Sequence, residues 1–236
     1  MKQGFTLVEL LVVISVIAVL LGILIPSLSR AREQAKIAVV NTELRQIALA
    51  LEVYFENNQK YPPTQADCSS SILTDHMYQL PTALVKGDYL PATPRTNPMS
   101  TTMEDQYNRG HTYKYRSVGE IIKDRNRIHT SIWAKLWIPK HFPESSSIAT
   151  EEGEEHPNAN EVERYSNDKS RFAPHSPVSW VVFSLGPRFS MKWLEEKIGI
   201  ENRYPVPKEL WYTPKQRRGF IVRMRLKNGS QIGSFE

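Results

Sequence analysis

A single acid interrupts an apolar stretch near the N-terminus. Glu9 follows Phe5-Thr6-Leu7-Val8, and from Leu10 to Ser29 no residue is charged. A carboxylate inside a bilayer costs about 2.5–3.5 kcal/mol on insertion scales, so it is retained for a task and with a partner. Cleavage after Gly4 would create that partner. It would free an α-ammonium on Phe5, one helical turn from Glu9, in the same chain or in a neighbour. The chemistry would be a peptide cut followed by charge pairing. In the plainer alternative, Glu9 merely sits at the membrane interface.

The element that must carry Glu9 is a helix. Its run of Leu, Val, Ile and Ala is relieved by Ser15, Gly22, Pro26, Ser27 and Ser29. About 20 such residues cross the hydrocarbon core, and this run qualifies with its flanks and some tilt. A secretory signal would place its cleavage site after the apolar run. Ser27 and Ser29 imitate one, but the helical pattern continues through Arg30, Arg32, Glu33, Ala35 and Lys36. The glycine suited to cleavage lies before the run.

Gly4-Phe5-Thr6-Leu7-Val8-Glu9-Leu10-Leu11-Val12-Val13-Ile14 resembles the type IV prepilin motif of pilins and type II secretion pseudopilins. The resemblance implies cleavage between Gly4 and Phe5 by a prepilin peptidase, and N-methylation of Phe5. It also implies that Glu9, fifth after the cut, assists docking in a helical filament. Pro26 falls where many such proteins have a helix-kinking proline, which membrane helices tolerate. Charge counting dissents: Lys2 lies on one flank and Arg30, Arg32 and Lys36 on the other, which would place the C-terminal part inside. The resemblance implies the reverse, and its motif is more specific than a three-charge count.

Beyond Arg30 the pattern becomes amphipathic. Leu44, Ile47, Ala48, Leu51, Tyr54 and Phe55 fall on one helical face, with Glu43, Arg45, Gln46, Glu52 and Glu56 largely off it. Asn57-Asn58 and Tyr61-Pro62-Pro63 predict the stop. The stripe is too broad and short for a coiled-coil seam and predicts packing on a sheet. This stretch is similar to the major pseudopilin of type II secretion, which has a comparable leucine, alanine and tyrosine pattern before a tyrosine-proline turn.

Strand patterns occupy the head. His111 to Ser117 sets Tyr113 and Tyr115 opposite Lys114 and Arg116. Ser179 to Ser184 is a short buried run ended by Gly186-Pro187. Phe220, Val222, Met224 and Leu226 alternate with Ile221, Arg223, Arg225 and Lys227. Ser69 to Lys86 predicts a loop and a short helix, with Pro81 at or near the helix start. Pro91, Pro94 and Pro98 predict an extended stretch. Between Glu120 and Pro174 nothing is recognisable, and the acid-rich Ser145–Asp168, with Glu151, Glu152, Glu154 and Glu155, reads as a solvated loop or insertion.

The other candidate sites are weak. Major pseudopilins often bind calcium between their last strands, but Arg188 stands after Ser184-Leu185-Gly186-Pro187 where the family commonly has aspartate. The resemblance therefore carries no calcium site over residue by residue; no cofactor is expected, and calcium is the lesser alternative. The histidines lack metal-binding spacing, and neither a nucleophile elbow nor a phosphate-binding loop is present. Cys68 is the only cysteine, so it forms no internal disulfide. Arg217, Arg218, Arg223 and Arg225 lie near Trp211, Tyr212 and Phe220, a mixture that suits single-stranded nucleic acid. A strand with a solvated basic face is the more economical reading, and the net charge of +5 is mild.

These features predict an α+β, pilin-like fold, with a long N-terminal helix packed on a small antiparallel sheet. The expected divisions are a leader (1–4), a transmembrane helix (5–29), its amphipathic continuation (30–57) and an exported head (58–236) with an insertion near 120–174. The expected role is structural rather than enzymatic. It is a pseudopilin-like subunit of a type II secretion filament, in contact with like subunits, the peptidase, the assembly platform and the membrane. Localisation would be the inner membrane, with the leader cytoplasmic and the head periplasmic or extracellular. The alternative is a minor type IV pilin whose head binds DNA, a surface or cargo.

Overall fold

The computed structural model describes residues 7–65, 78–91, 103–117, 121–123, 127–129, 136–139, 162–165, 178–198 and 208–235. Gly4, Phe5, Cys68 and Glu151–Glu155 lie outside them. The chain divides into two compact units, Met1–Val39 and Val40–Glu236.

One helix, α1, runs from Leu7 to Asn58 and contributes to both units. Between Ser27 and Asn58 it meets neither proline nor glycine, so nothing interrupts its hydrogen-bond ladder. It stops where Gln59 adopts φ 56° and donates its N–H to Phe55 O at 2.7 Å, a left-handed cap. The Asn58 side chain donates to Tyr54 O at 2.9 Å, and the prolines at 62 and 63 bar any continuation.

In the second unit, the central sheet has strand order β2-β7-β8-β9 and is antiparallel throughout. Its strands are β2 (Lys114–Ser117), β7 (Val178–Ser184), β8 (Ile221–Leu226) and β9 (Gln231–Gly233). The register pairs Trp180 with Arg225 and Val182 with Arg223, which puts these four on one face. Val181, Phe183, Val222 and Met224 form the opposite face and join Tyr78, Leu185, Leu194, Leu210, Trp211 and Phe220 in the main core.

On α1, Val40, Leu44, Ile47, Ala48 and Leu51 are buried. Tyr54 and Phe55 are only half-buried; Tyr54 meets Tyr89 edge to face (5.2 Å) and Phe55 stacks on Tyr61 (4.7 Å). Glu52, which lies off the apolar stripe, binds the sheet. It accepts Trp180 Nε1–H at 3.1 Å and pairs with Arg225 Nε at 3.0 Å. The Tyr61 hydroxyl lies 3.3 Å from the same carboxylate. Burial, and next the Glu52 charge, push the Tyr61 phenol up to about 12, so it stays a donor. The Tyr113 hydroxyl makes a short hydrogen bond to Glu43, further back along the helix.

Three short helical segments flank the sheet: α2 (Ala83–Lys86), α3 (Met191–Ile198) and a 3-10 turn at Lys208–Leu210. Strand β1 (Thr64–Gln65) joins a small sheet of order β1-β3-β4, with β3 at Ile121–Lys123 and β4 at Arg127–His129. Strands β5 (Leu136–Pro139) and β6 (Val162–Tyr165) form an antiparallel ribbon. The polar span read as a loop from Ser145 to Asp168 therefore contains a strand. Val162 and Tyr165 at its two ends are residue types that favour strands, a local signal hidden by the surrounding acidity.

A further expectation changes at β2. Both of its faces are buried, Lys114 and Arg116 included. The 78–80 segment covers its outer edge: Tyr115 N–H donates to Tyr78 O at 2.8 Å, and Arg116 lies over the Tyr78 ring at 4.3 Å.

Replacing Glu52 by alanine would strip the Trp180 indole N–H and the Arg225 guanidinium of their acceptor. A loss of about 2–4 kcal/mol in unfolding free energy is expected, and about half that for Glu52→Gln, which still accepts from Trp180. Denaturant titration of both variants checks this, and equal, negligible losses would remove the carboxylate from any stabilising role.

Candidate functional site

The first unit is a helix with an apolar surface. Its large apolar side chains from Leu7 to Leu28 are between 46% and 79% exposed, far more than a water-facing helix leaves open. Among the described residues, α1 is the one helix long and apolar enough to cross a membrane. Glu9 is exposed in its first turn, where a helix terminus favours negative charge. The Ser15 hydroxyl is satisfied internally by Val12 O at 2.7 Å.

Pro26 lies inside α1. It has no N–H, so the Gly22 carbonyl loses its donor one turn earlier. Pro26 and Ser27 line a shallow groove with Ile23, Arg30, Ala31 and Gln34. Glu9 and Pro26 thus share one helix. Gly4 and Phe5, the expected cleavage and methylation positions, lie outside the described residues.

The four candidate nucleic-acid arginines do not form one open stripe. Arg223 is 7% exposed and donates to Gln231 Oε1 at 3.1 Å. Arg225 pairs with Glu52 and lies 5.9 Å from the Tyr61 ring centre. Arg218 lies 5.8 Å over the Trp193 ring, and Arg217 occupies a left-handed position with φ 52°. Of the expected solvated basic face of β8, Arg225 is instead turned toward α1, where Glu52 supplies a countercharge, Arg223 is buried and Lys227 is exposed.

The loop leaving β7 is where calcium binding would be sought. Arg188 is exposed at φ 57°. The nearest buried acid is Asp105, whose oxygens already accept three donors. Oδ1 takes the Ser184 hydroxyl at 2.6 Å and Tyr107 N–H at 3.0 Å; Oδ2 takes Leu185 N–H at 3.0 Å. Among the described residues, no three His, Cys, Asp or Glu side chains converge. A calcium ion needs six to eight oxygens, so the described side chains do not fit one. Sequence reasoning missed Asp105. Its only signal is a turn-favouring run, Asp105 to Gly110, which says nothing about a contact 80 positions away.

Similarity to known proteins covers part of the chain. Residues 1–25 match the family described as the prokaryotic N-terminal methylation motif. The type II secretion system core protein G of Pseudomonas aeruginosa is 36% identical over 64 residues, covering 27% of this chain and 45% of that protein. A type IV wide pilus major component of Thermus thermophilus is 44% identical over 64 residues, 27% of this chain and 49% of its own length. The Escherichia coli core protein G is 31% identical over 99 residues, 41% of this chain and 68% of that protein. The chain belongs to the type II secretion system core protein G family. The core protein G resemblance therefore extends past the helix into the head, although the chain spans only about half the length of the Pseudomonas and Thermus relatives. No solved structure matches significantly. None of these relatives carries an enzyme's name.

Burial pushes the Asp105 carboxyl above its ordinary value, against the pull of Ser184, the Tyr107 and Leu185 N–H groups and Lys114. A raised folded value means that the stability Asp105 contributes is complete below about pH 4 and falls as pH rises through the folded value. Unfolding free energies measured upward from pH 4 are expected to carry this negative slope, and Asp105→Asn to lose it. An identical slope in the variant would assign the effect elsewhere.

Proposed function

We propose that this core protein G relative is a processed, membrane-anchored subunit of a pseudopilin-like filament. The observation that carries the reading is the single acid, Glu9, beside Gly4-Phe5 at the head of an uncharged spanning helix. Cleavage after Gly4 frees the Phe5 ammonium, N-methylation keeps its charge, and the cation neutralises Glu9 within or between chains. Apolar helices then leave the lipid and pack together in the filament, and their exposed side chains find cover. The heads coat the outside, on the far side of the membrane from the leader. Prepilin peptidase and an assembly platform are the partners this requires, and filament growth moves cargo through the envelope.

A second reading, a pilus subunit whose head recognises a surface or cargo, is favoured by the β5–β6 ribbon and by the Thermus pilus relative. Its DNA version is weakened because Arg225 is turned toward α1 and Arg223 is buried.

Intact mass of the protein from its native membrane is expected to show loss of Met1–Gly4 and one added methyl group. Glu9→Ala is expected to lower filament incorporation by about tenfold or more, the scale of an unpaired terminal charge in an apolar core. An unprocessed N-terminus would sink the reading and leave a plain signal anchor.

A further inference from the structure

We infer that, in the described parts of the connection from β7 to β8 (residues 185–198 and 208–220), an aromatic cluster and not a divalent cation fixes the backbone, with Phe189 and Trp193 closing on Phe220 where the family resemblance calls for calcium ligands. The connection starts at Asp105, which grips both the Ser184 hydroxyl and the Leu185 N–H. The Ser184 oxygen in turn accepts Gly186 N–H at 3.1 Å. An internal carboxylate therefore already organises the backbone that a metal would organise, and both its oxygens are engaged in doing so.

Beyond it the chain passes through two left-handed residues, Gly186 at φ 70° and Arg188 at φ 57°. A Cβ on Gly186 would run into the Gly219 carbonyl, so the outgoing and returning strands touch backbone to backbone. An ion has no room between them at that crossing.

The contacts of Phe189 and Trp193 are aromatic. Phe189 lies 5.7 Å from Phe220 and 6.4 Å from Trp193, and Trp193 lies 6.1 Å from Phe220. Phe220 meets Phe183 of β7 edge to face at 5.4 Å. Such rings bury large areas and favour tilted or edge contacts at these separations. Helix α3 presents Trp193 and the buried Leu194 to this cluster, and the Ser190 side chain caps it by accepting Trp193 N–H at 3.3 Å. The Arg218 guanidinium then covers the outer Trp193 face. Glu196 of α3 is exposed. The cluster thus spans the same gap as a metal loop would, but its strength comes from burial and does not depend on free calcium.

The test is thermal unfolding of the full chain in detergent, monitored by tryptophan fluorescence, with chelator and with millimolar calcium. The midpoints are expected to agree within about 1 °C, while Trp193→Ala lowers the midpoint by about 6–10 °C. Phe189→Leu, a milder change, is expected to lower it by a smaller amount and serves if Trp193→Ala fails to accumulate. A midpoint raised several degrees by calcium would overturn the inference. So would Phe189→Leu and Trp193→Ala proteins that melt with the parent. Neither arm depends on filament assembly, so failure here leaves the subunit reading standing.

Discussion

Glu52 lies where the amphipathic half of α1 covers the four-stranded sheet, and the sheet face it meets carries two arginines. A carboxylate held by an indole N–H, a guanidinium and a phenol is satisfied at low dielectric only if helix, β7, β8 and the Tyr61 turn all take their places. Apolar stripes tolerate sliding, because one leucine packs nearly as well as the next. A polar contact with three donors does not, so it fixes which helical turn faces which strand residue. Leu44, Ile47, Ala48 and Leu51 supply the burial, and Glu52 supplies the register.

The same division of labour recurs at the loop after β7. Asp105 makes directed contacts to Ser184 and Leu185, and the aromatic cluster beyond supplies the area. In both places an acid from one segment fixes a backbone or side chain more than seventy residues away, and apolar groups pack around it. Asp105 is costly to bury, and its oxygens are met by donors.

The helix, its stop at Asn58 and the strands at Lys114–Ser117, Val178–Ser184 and Ile221–Leu226 were legible because each announces itself within its own window. Periodicity, a pair of prolines, or a β-branched run between turns is enough. Glu9 stands out in the sequence because a charge in an apolar run is costly to bury. The roles of Glu52 and Asp105 were not, since their partners are set by tertiary contact and the residues look like ordinary surface acids in the sequence. The arginines of β8 misled for the same reason: alternation shows which side chains share a face, but it does not reveal what covers that face. Strand β6 was hidden by the acidic residues around it.

The long sequence separation of the Glu52 contacts has a consequence for the order of events in biosynthesis. Its partners Trp180 and Arg225 are synthesised 128 and 173 positions after it. β2 must likewise wait for β7, and β7 for β8, before the sheet exists. Closing such long loops is slow compared with forming a helix. The N-terminal helix therefore emerges first and complete, with its head-side stripe bare until nearly the last residue has been made. For that interval Leu44, Ile47 and Leu51 lack the sheet that buries them in the folded chain.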